Sequence, residues 1–268
     1  RLVHNLIQAA AHGASTAPAV NGLLNDGDAR FVPGLRKFGA YIEKNACWYE
    51  GLASLARIAV LRSEDSRLWG EDAGRMAGAD DRSGHVAEFR GVCEMLSDLR
   101  HPFDIVVSPS LKLADLKRFD LVLLPAASCL SDADAAVIDA YVEQGGKIIA
   151  TADLAAANET GEGRNAPALR CLPALPGKAW SAVGAYFALG RADLRKVVGG
   201  IRHVPAAGPF WAPFGEGETQ DDLRIIGPFA NNAPEFTTVE GSGKEPGLIE
   251  RRFGKGLATW LPWRIGAL

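Results

Sequence analysis

A cysteine follows a hydrophobic strand-like run in the sequence LVLLPAASCLSD, residues 121–132. A strand that delivers Cys129 to a sharp turn before a helix would expose its sulfur in the way that many α/β enzymes expose a reactive nucleophile. The chemistry would be acyl or amide transfer through a thiolate. Such a turn needs small residues, usually glycine, two positions before and two positions after the nucleophile. It also needs a base or a positive charge that lowers the pKa of the thiol.

The residues around Cys129 meet few of these requirements for a reactive thiol. The two flanking positions hold Ala127 and Ser131. Ser131 and Asp132 form a helix start, which leaves Cys129 in a connecting loop. No His, Lys or Arg lies close to it in the sequence, so only a distant His could act as its base. We therefore predict a structural thiol.

The exit of the next strand offers a second place for a nucleophile. This strand has the sequence KIIATAD, residues 147–153, and it ends in Thr151, Ala152 and Asp153. It brings no cysteine, no serine elbow and no pair of glycines. We predict that the chain carries no catalytic residue.

Metal and cofactor sites are not indicated either. The five histidines and the four cysteines are scattered, without a CxxC motif or the spacing of metal ligands, so we expect no metal and no cofactor. Glu64 and Asp65 follow a strand end, where we expect a carboxylate to cap a helix or to be solvated.

Composition narrows the class of protein. The chain has 268 residues, of which 47% are hydrophobic, and a net charge of −3. These values are typical of a globular protein and give no electrostatic reason to bind nucleic acid. No stretch is long and apolar enough to span a membrane. Reduced cysteines favour a cytoplasmic location, and because the chain begins at Arg1 we expect it to be part of a longer protein.

The first 54 residues have the pattern helix, strand, loop, helix. Residues 1–13 are predicted to form a helix that stops at Gly13, and residues 14–20 a short strand. A second helix is predicted from about Gly34 to Leu52. It would place Leu35, Phe38, Ile42 and Tyr49 on one face.

Residues 55–155 alternate between strands and helices. The runs ARIAVLRS, FDIVVS, FDLVLLPA and KIIATAD are continuous and rich in Val, Ile and Leu, which is typical of parallel strands buried on both faces. Helices are predicted from SGHVAEFRGVCEMLSDLR and from SDADAAVIDAYVEQGG, the latter with Ser131 as N-cap and Asp134 in a capping box. The pattern predicts a doubly wound α/β sheet of flavodoxin-like or amidotransferase-like type. Residues 178–268 are predicted to form a β-rich extension, with strands in AWSAVGAYFAL, DLRIIGPFA and GLATWLPW.

Three stretches carry a resemblance to a known family. ARIAVLRSEDSRLWG, the unit from FDLVLLPA to KIIATAD, and GLIERRFGKGLATWLPW together resemble the trimerisation domain of bacterial and archaeal beta-galactosidases and of related hypothetical glycosyl hydrolases. That domain is amidotransferase-like in fold and non-catalytic. The preceding stretches, LIQAAAHGA and DGDARFVPGLRKFGAYIEKNACWYEGL, resemble the last helix, strand and helix of the (β/α)₈ barrel that precedes it in such proteins.

The resemblance implies that the two parts of the chain have different roles. Residues 1–54 would be the end of a glycosidase barrel, and residues 55–268 would be an association domain that forms a homo-oligomer, a trimer by resemblance. The two catalytic carboxylates would lie upstream of this chain, at earlier barrel strands. Asn21, Asp26 and Arg30 would face the mouth of the active site, where they could touch a carbohydrate substrate.

Two other classes of function remain open from the sequence. One is an independent α/β hydrolase or amidotransferase that uses Cys129. The other is a carbohydrate-binding module, because sheets of this kind bind ligands at the ends of their strands.

Overall fold

The computed structural model describes residues 2–11, 13–14, 29–70, 84–172, 175–182, 185–206, 208–214, 223–227 and 245–266. The chain divides into two compact units, Arg1–Leu55 and Ala56–Leu268. Among the described residues, no helix has both the length and the apolar character needed to cross a membrane.

The first unit is helical where it is described. Helix α1 spans Leu2–Ala11, helix α2 spans Val32–Lys44, and short 3-10 helices span Ala29–Phe31 and Ala46–Trp48. Gly13 has a φ of 75° and its N–H donates to Ala10 O at 3.0 Å, so the predicted helix stop is confirmed. The predicted strand and most of the loop after it lie outside the described residues.

The second helix ends earlier than the prediction of Leu52. Asn45 follows its last residue, and the side-chain Nδ2 of Asn45 donates to Tyr41 O at 2.7 Å. An asparagine that occupies the terminal carbonyls in this way favours the end of a helix. The predicted common face is found in part: Leu35, Phe38 and Ile42 are half-buried on α2, whereas Tyr49 is half-buried but lies beyond the end of the helix.

The second unit begins with alternating strands and helices and continues with short strands. Its helices are α3 (Glu64–Trp69), α4 (Gly84–Asp98), α5 (Leu113–Leu116), α6 (Asp132–Glu143) and α7 (Ala192–Val197). Its strands are β1 (Ile58–Ser63), β2 (Phe103–Ser108), β3 (Leu121–Leu124), β4 (Lys147–Thr151), β5 (Leu175–Ser181), β6 (Tyr186–Leu189), β7 (His203–Pro205), β8 (Pro209–Phe214), β9 (Leu223–Ile226), β10 (Glu245–Pro246), β11 (Ile249–Phe253) and β12 (Gly256–Leu261).

Six strands form the main sheet, in the order β11-β12-β4-β3-β1-β2. All neighbours pair in parallel except β11 and β12, which form an antiparallel hairpin. Alternate residues of the central strands pack into two clusters. Leu61 and Leu124 join a cluster with Ile138 of α6, whereas Val60 and Leu123 join a cluster with Val92 of α4. The fold is therefore α/β, with a mostly parallel sheet that buries both faces of its central strands.

Strand β2 differs from the prediction of burial on both faces. It lies at the edge of the sheet, and the side chains of Ile105 and Val107 are 51% and 50% exposed. Its apolar composition resembles that of the central strands, so the sequence alone did not distinguish an edge strand from a central one.

The β-rich part contains a four-stranded antiparallel sheet, in the order β10-β9-β6-β7, and the pair β5-β8. The predicted single strand AWSAVGAYFAL contributes to two different sheets, because β5 pairs with β8 whereas β6 pairs with β7 and β9. The last hairpin, β11 and β12, returns to the main sheet beside β4. The sheet that starts at residue 58 is thus completed only near the end of the chain.

Candidate functional site

Cys129 lies at the carboxyl edge of the main sheet and is held by its backbone. Its N–H donates to Ser66 Oγ at 3.0 Å, and its carbonyl accepts from Ser63 Oγ at 3.1 Å. Both serines are fully buried. Ser63 also caps α3, because its Oγ accepts from Ser66 N. Two serine side chains, one at the end of β1 and one in α3, therefore fix the loop after β3.

The surroundings of the Cys129 thiol disfavour its thiolate form. The residue is buried, and this burial raises the pKa of the thiol, with Asp153 and Asp65 raising it further; a weak contact with Ser128 works in the opposite direction. The Sγ atom lies 3.9 Å from Ser128 Oγ. A thiol with a raised pKa is protonated at neutral pH and is a poor nucleophile.

His85 is a buried candidate for a base at the same edge of the sheet, and the sequence alone did not indicate it. Its ring bridges two strand exits: Nε2 accepts from Ser63 N at 2.8 Å, and Nδ1 lies 2.7 Å from Pro125 O. A backbone N–H only donates and a carbonyl only accepts, so the ring is neutral with its proton on Nδ1. Both nitrogens are occupied, and neither is available to take a proton from Cys129. The stretch SGHVAEF gives no local sign of this role, since both partners lie at the ends of strands that are distant in the sequence.

Burial lowers the pKa of His85 to about 4. In the unfolded chain a histidine has a pKa near 6.5. Between about pH 4 and pH 6.5 the unfolded state therefore binds a proton at this residue and the folded state does not. The stabilisation is complete above about pH 6.5 and is lost as the pH falls towards 4.

We expect wild-type protein to lose about 3 kcal/mol of unfolding free energy between pH 7 and pH 4 through this group. The His85→Gln variant should lack this part of the pH dependence, while His101→Gln, at an exposed turn, should keep it. Urea unfolding at several pH values measures the difference. Equal slopes for wild type and His85→Gln would contradict the assignment.

The exit of β4 has an unusual backbone and no nucleophile. Ala152 has a φ of 58° and is fully buried. Its N–H donates to Leu261 O at 2.8 Å, and its carbonyl accepts from Trp260 Nε1 at 2.8 Å. A left-handed residue directly after a strand is the conformation that exposes a nucleophile in a strand-to-helix elbow. Here the side chain is a methyl group, and the end of β12 covers the backbone.

The two carboxylates after β1 have different surroundings. Glu64 forms ion pairs with Arg62 and Arg67, each at 2.6 Å, and the hydrogen bonds from these arginines lower its pKa. Asp65 differs from our expectation of a capping or solvated group. It is only 8% exposed, and Ser63 is the residue that caps the helix. Helix α3 turns Asp65 into the protein.

The predicted substrate-binding residues are not brought together by the described part of the chain. Asn21 and Asp26 lie outside the described residues, and Arg30 is an exposed residue of a short 3-10 helix. Within the described ranges, no group of three His, Cys, Asp or Glu side chains could hold a metal ion.

A largely apolar cavity of about 520 Å³ lies in the first unit. Its walls come from α1, α2 and the segment that follows α2: Val3, Ile7, Ala10, Ala11, Gly34, Lys37, Phe38, Tyr41, Ile42 and Tyr49. Among the described residues that line it there is no carboxylate, and its ionisable side chains are those of Lys37, Tyr41 and Tyr49. Among the described residues up to Leu55, Leu6 alone is buried.

The fold of this chain is similar to parts of several solved glycoside hydrolases. No protein-family model and no curated protein matches the sequence. Among solved structures, the beta-galactosidase from Rahnella sp. R3 is similar with a TM-score of 0.68 and 19% identity, over 97% of this chain and 38% of that one. The alpha-L-fucosidase isoenzyme 2 from Paenibacillus thiaminolyticus has a TM-score of 0.66 and 19% identity, over 99% and 38%.

A third solved structure, the beta-galactosidase from Bacillus circulans sp. alkalophilus, has a TM-score of 0.68 and 14% identity, over 89% of this chain and 33% of that one. This chain therefore spans about a third of the length of these enzymes. The predicted relationship to beta-galactosidases is supported at the level of the fold.

Proposed function

We propose that this chain is the non-catalytic C-terminal portion of a glycoside hydrolase of beta-galactosidase-like type. Residues 1–54 would complete a (β/α)₈ barrel, and residues 55–268 would form a trimerisation-type domain with a doubly wound, amidotransferase-like sheet. The observation that carries the proposal is the fold similarity over 97% and 99% of the chain to two glycosidases of which it spans 38%. Catalytic carboxylates and the sugar-binding cleft would belong mainly to the upstream part.

The chemistry of the sheet edge supports a non-catalytic role. The thiol of Cys129 is buried with a raised pKa, His85 uses both ring nitrogens for structure, and Ala152 stands at the elbow after β4. The hydrogen bonds of this edge join the exits of strands that are distant in sequence. An enzyme site would instead leave a nucleophile and a base within reach of a substrate.

The first unit supports the barrel proposal because its described residues bury little apolar surface. With Leu6 alone buried among its described residues, and with the face of Leu35, Phe38 and Ile42 only half-covered, it cannot stabilise itself by apolar burial. Missing barrel strands and helices would cover this face and fill the 520 Å³ cavity. In that setting Asn21, Asp26 and Arg30 would follow the eighth strand at the mouth of the barrel.

The cysteines fit a reducing compartment. All four are free thiols, including exposed Cys47. We propose a cytoplasmic location on this basis.

We predict that the chain alone hydrolyses no aryl glycoside, because its proposed catalytic carboxylates lie upstream. Nitrophenyl galactosides and fucosides are the substrates to test, with the full reading frame as the positive control. Turnover that survives purification and disappears on substitution of one carboxylate within residues 1–268 would contradict the proposal.

The alternative function is that of an amidotransferase or hydrolase that uses Cys129. The reactivity of the thiols tests this alternative. We expect a maleimide at neutral pH to label exposed Cys47 first and Cys129 slowly, and Cys129→Ala to leave the activity of the full-length protein within a few-fold. Stoichiometric labelling of Cys129 ahead of Cys47 would instead indicate an activated thiolate.

A further inference from the structure

Three buried oxygen atoms near the carboxyl edge of the main sheet have no hydrogen-bond partner among the residues that the structure describes. They are Asp65 Oδ2, Asp134 Oδ2 and Ser108 Oγ. Their residues are 8%, 2% and 0% exposed, respectively. Buried polar atoms are almost always paired, because leaving one unpaired costs free energy, and an unpaired buried carboxylate oxygen costs more than a neutral group.

The topology places these residues at the same part of the carboxyl edge of the sheet. Ser108 is the last residue of β2 and lies beside Ser63, the last residue of β1, in the register of the sheet. Asp65 follows Ser63 by two residues. Asp134 is in the first turn of α6, and its Oδ1 accepts from Leu111 N at 2.9 Å, just after the end of β2.

The side-chain directions agree with this placement. Val106 of β2 packs into the cluster that contains α6, and Ser108, two residues later in the strand, points to the same face of the sheet. Asp134 lies at the start of α6 on that face. The charge of Asp134 is also the largest influence on the pKa of Asp65 after burial, and both raise it.

The position in the sheet is one that suits a ligand. The strand order β2-β1-β3-β4 means that the chain moves outwards in opposite directions from the boundary between β1 and β3. Open α/β sheets bind ligands in the crevice at the carboxyl ends of the strands at this point. Asp65 follows β1, and Asp134 follows β3.

We propose that Asp65, Asp134 and Ser108 form a binding site for one hard divalent cation of the Mg²⁺ or Ca²⁺ class. Two carboxylates and a hydroxyl are oxygen ligands, which such cations prefer, and water would supply the remaining positions. Softer metals are disfavoured because His85 has no free nitrogen and the Cys129 thiol is protonated. This inference is independent of the proposed association role.

The test is cation binding by the full chain after removal of metal with EDTA. Isothermal titration with MgCl₂ and with CaCl₂ should give one site per chain for at least one of the two, and that cation should raise the thermal unfolding midpoint in a concentration-dependent manner. Asp65→Asn should weaken the affinity at least tenfold. Asp132→Asn is the matched control, because Asp132 lies in the same turn of α6 with a side chain that is 85% exposed.

Asp134→Asn is a second variant, and it should also weaken binding. Asp134 also accepts a hydrogen bond from Leu111 N. If this variant fails to fold, the affinity of Asp65→Asn tests the site by itself. Absence of binding by wild-type protein, or unchanged affinity in Asp65→Asn, would overturn the proposal. A wild type that binds neither cation, together with higher stability of Asp65→Asn at neutral pH, would overturn the proposal and show that the buried Asp65 carboxylate destabilises the fold.

Discussion

Replacement of Glu88 by alanine is expected to lower the free energy of unfolding by about 3–5 kcal/mol. Glu88 lies in α4 and is fully buried. Its Oε1 accepts from Ile265 N at 2.9 Å and its Oε2 from Gly266 N at 2.8 Å, so one carboxylate holds the C-terminal segment against the helix. Hydrogen bonds to a charged group contribute about 1.5–3 kcal/mol each, and alanine would also leave both N–H groups unpaired.

The same contact has no space for rearrangement. A Cβ atom on Gly91, one turn after Glu88, would lie 1.7 Å from Gly266 O, so the backbones of α4 and the C-terminal segment are in direct contact. The N–H groups of residues 265 and 266 therefore cannot easily turn to solvent after the substitution.

Urea unfolding followed by tryptophan fluorescence measures this effect. Glu88→Gln should be intermediate, because the amide retains one acceptor oxygen and loses the charge. Glu94→Ala, at an exposed position of the same helix, should change stability by less than about 0.5 kcal/mol. A similarly small change in Glu88→Ala would show that the C-terminal segment contributes little to the stability of the fold.

The alternating part of the fold was predictable because its signals are local. Strands β1, β3 and β4 are short apolar runs, and α4 and α6 show helical periodicity. The N-cap of α6 was also predicted: Ser131 Oγ accepts from Asp134 N at 3.1 Å. The second hydrogen bond of the predicted capping box is not formed, because the carboxylate of Asp134 accepts from Leu111 N instead of from the N-cap backbone.

The buried polar residues were not predictable, because their partners are distant in sequence. Glu88 bonds residues 177 and 178 positions later, and His85 joins the ends of two different strands. Nothing in the sequence around Asp65 distinguishes a buried aspartate from a solvated one. Charge and helix position are local properties, whereas burial depends on which segments pack above them.

The strands at the edges of the sheet also could not be predicted from local sequence patterns. Strand β12 pairs with β4 across more than a hundred residues, and β2 has the composition of a central strand while lying at an edge. For the candidate site, the inert character of Cys129 remains a prediction that its surroundings support. The assignment of Asn21 and Asp26 falls outside the described residues.

We predict that the full-length protein is a homo-oligomer, with a trimer as the specific expectation. The residue 56–268 unit presents large apolar side chains to solvent, including Ile105 and Val107 on edge strand β2 and Leu99 after α4, which are 51%, 50% and 60% exposed. Exposed apolar side chains on an unpaired edge strand favour association with another protein surface. The trimer itself rests on the proposed relationship to the galactosidase trimerisation domain.

The chain expressed without upstream residues should behave differently. Its first unit exposes Trp48, Leu52 and Leu55 by 75%, 57% and 89%, and it leaves the α1–α2 cavity open to new contacts. We therefore expect unspecific, concentration-dependent association of this chain, in contrast to one defined species for the full-length protein.

Multi-angle light scattering of the protein from the complete reading frame, at micromolar concentration, tests the association role most directly. The proposed function predicts a single species with three times the mass of one polypeptide. A monomer of the full-length protein under these conditions would contradict the association role.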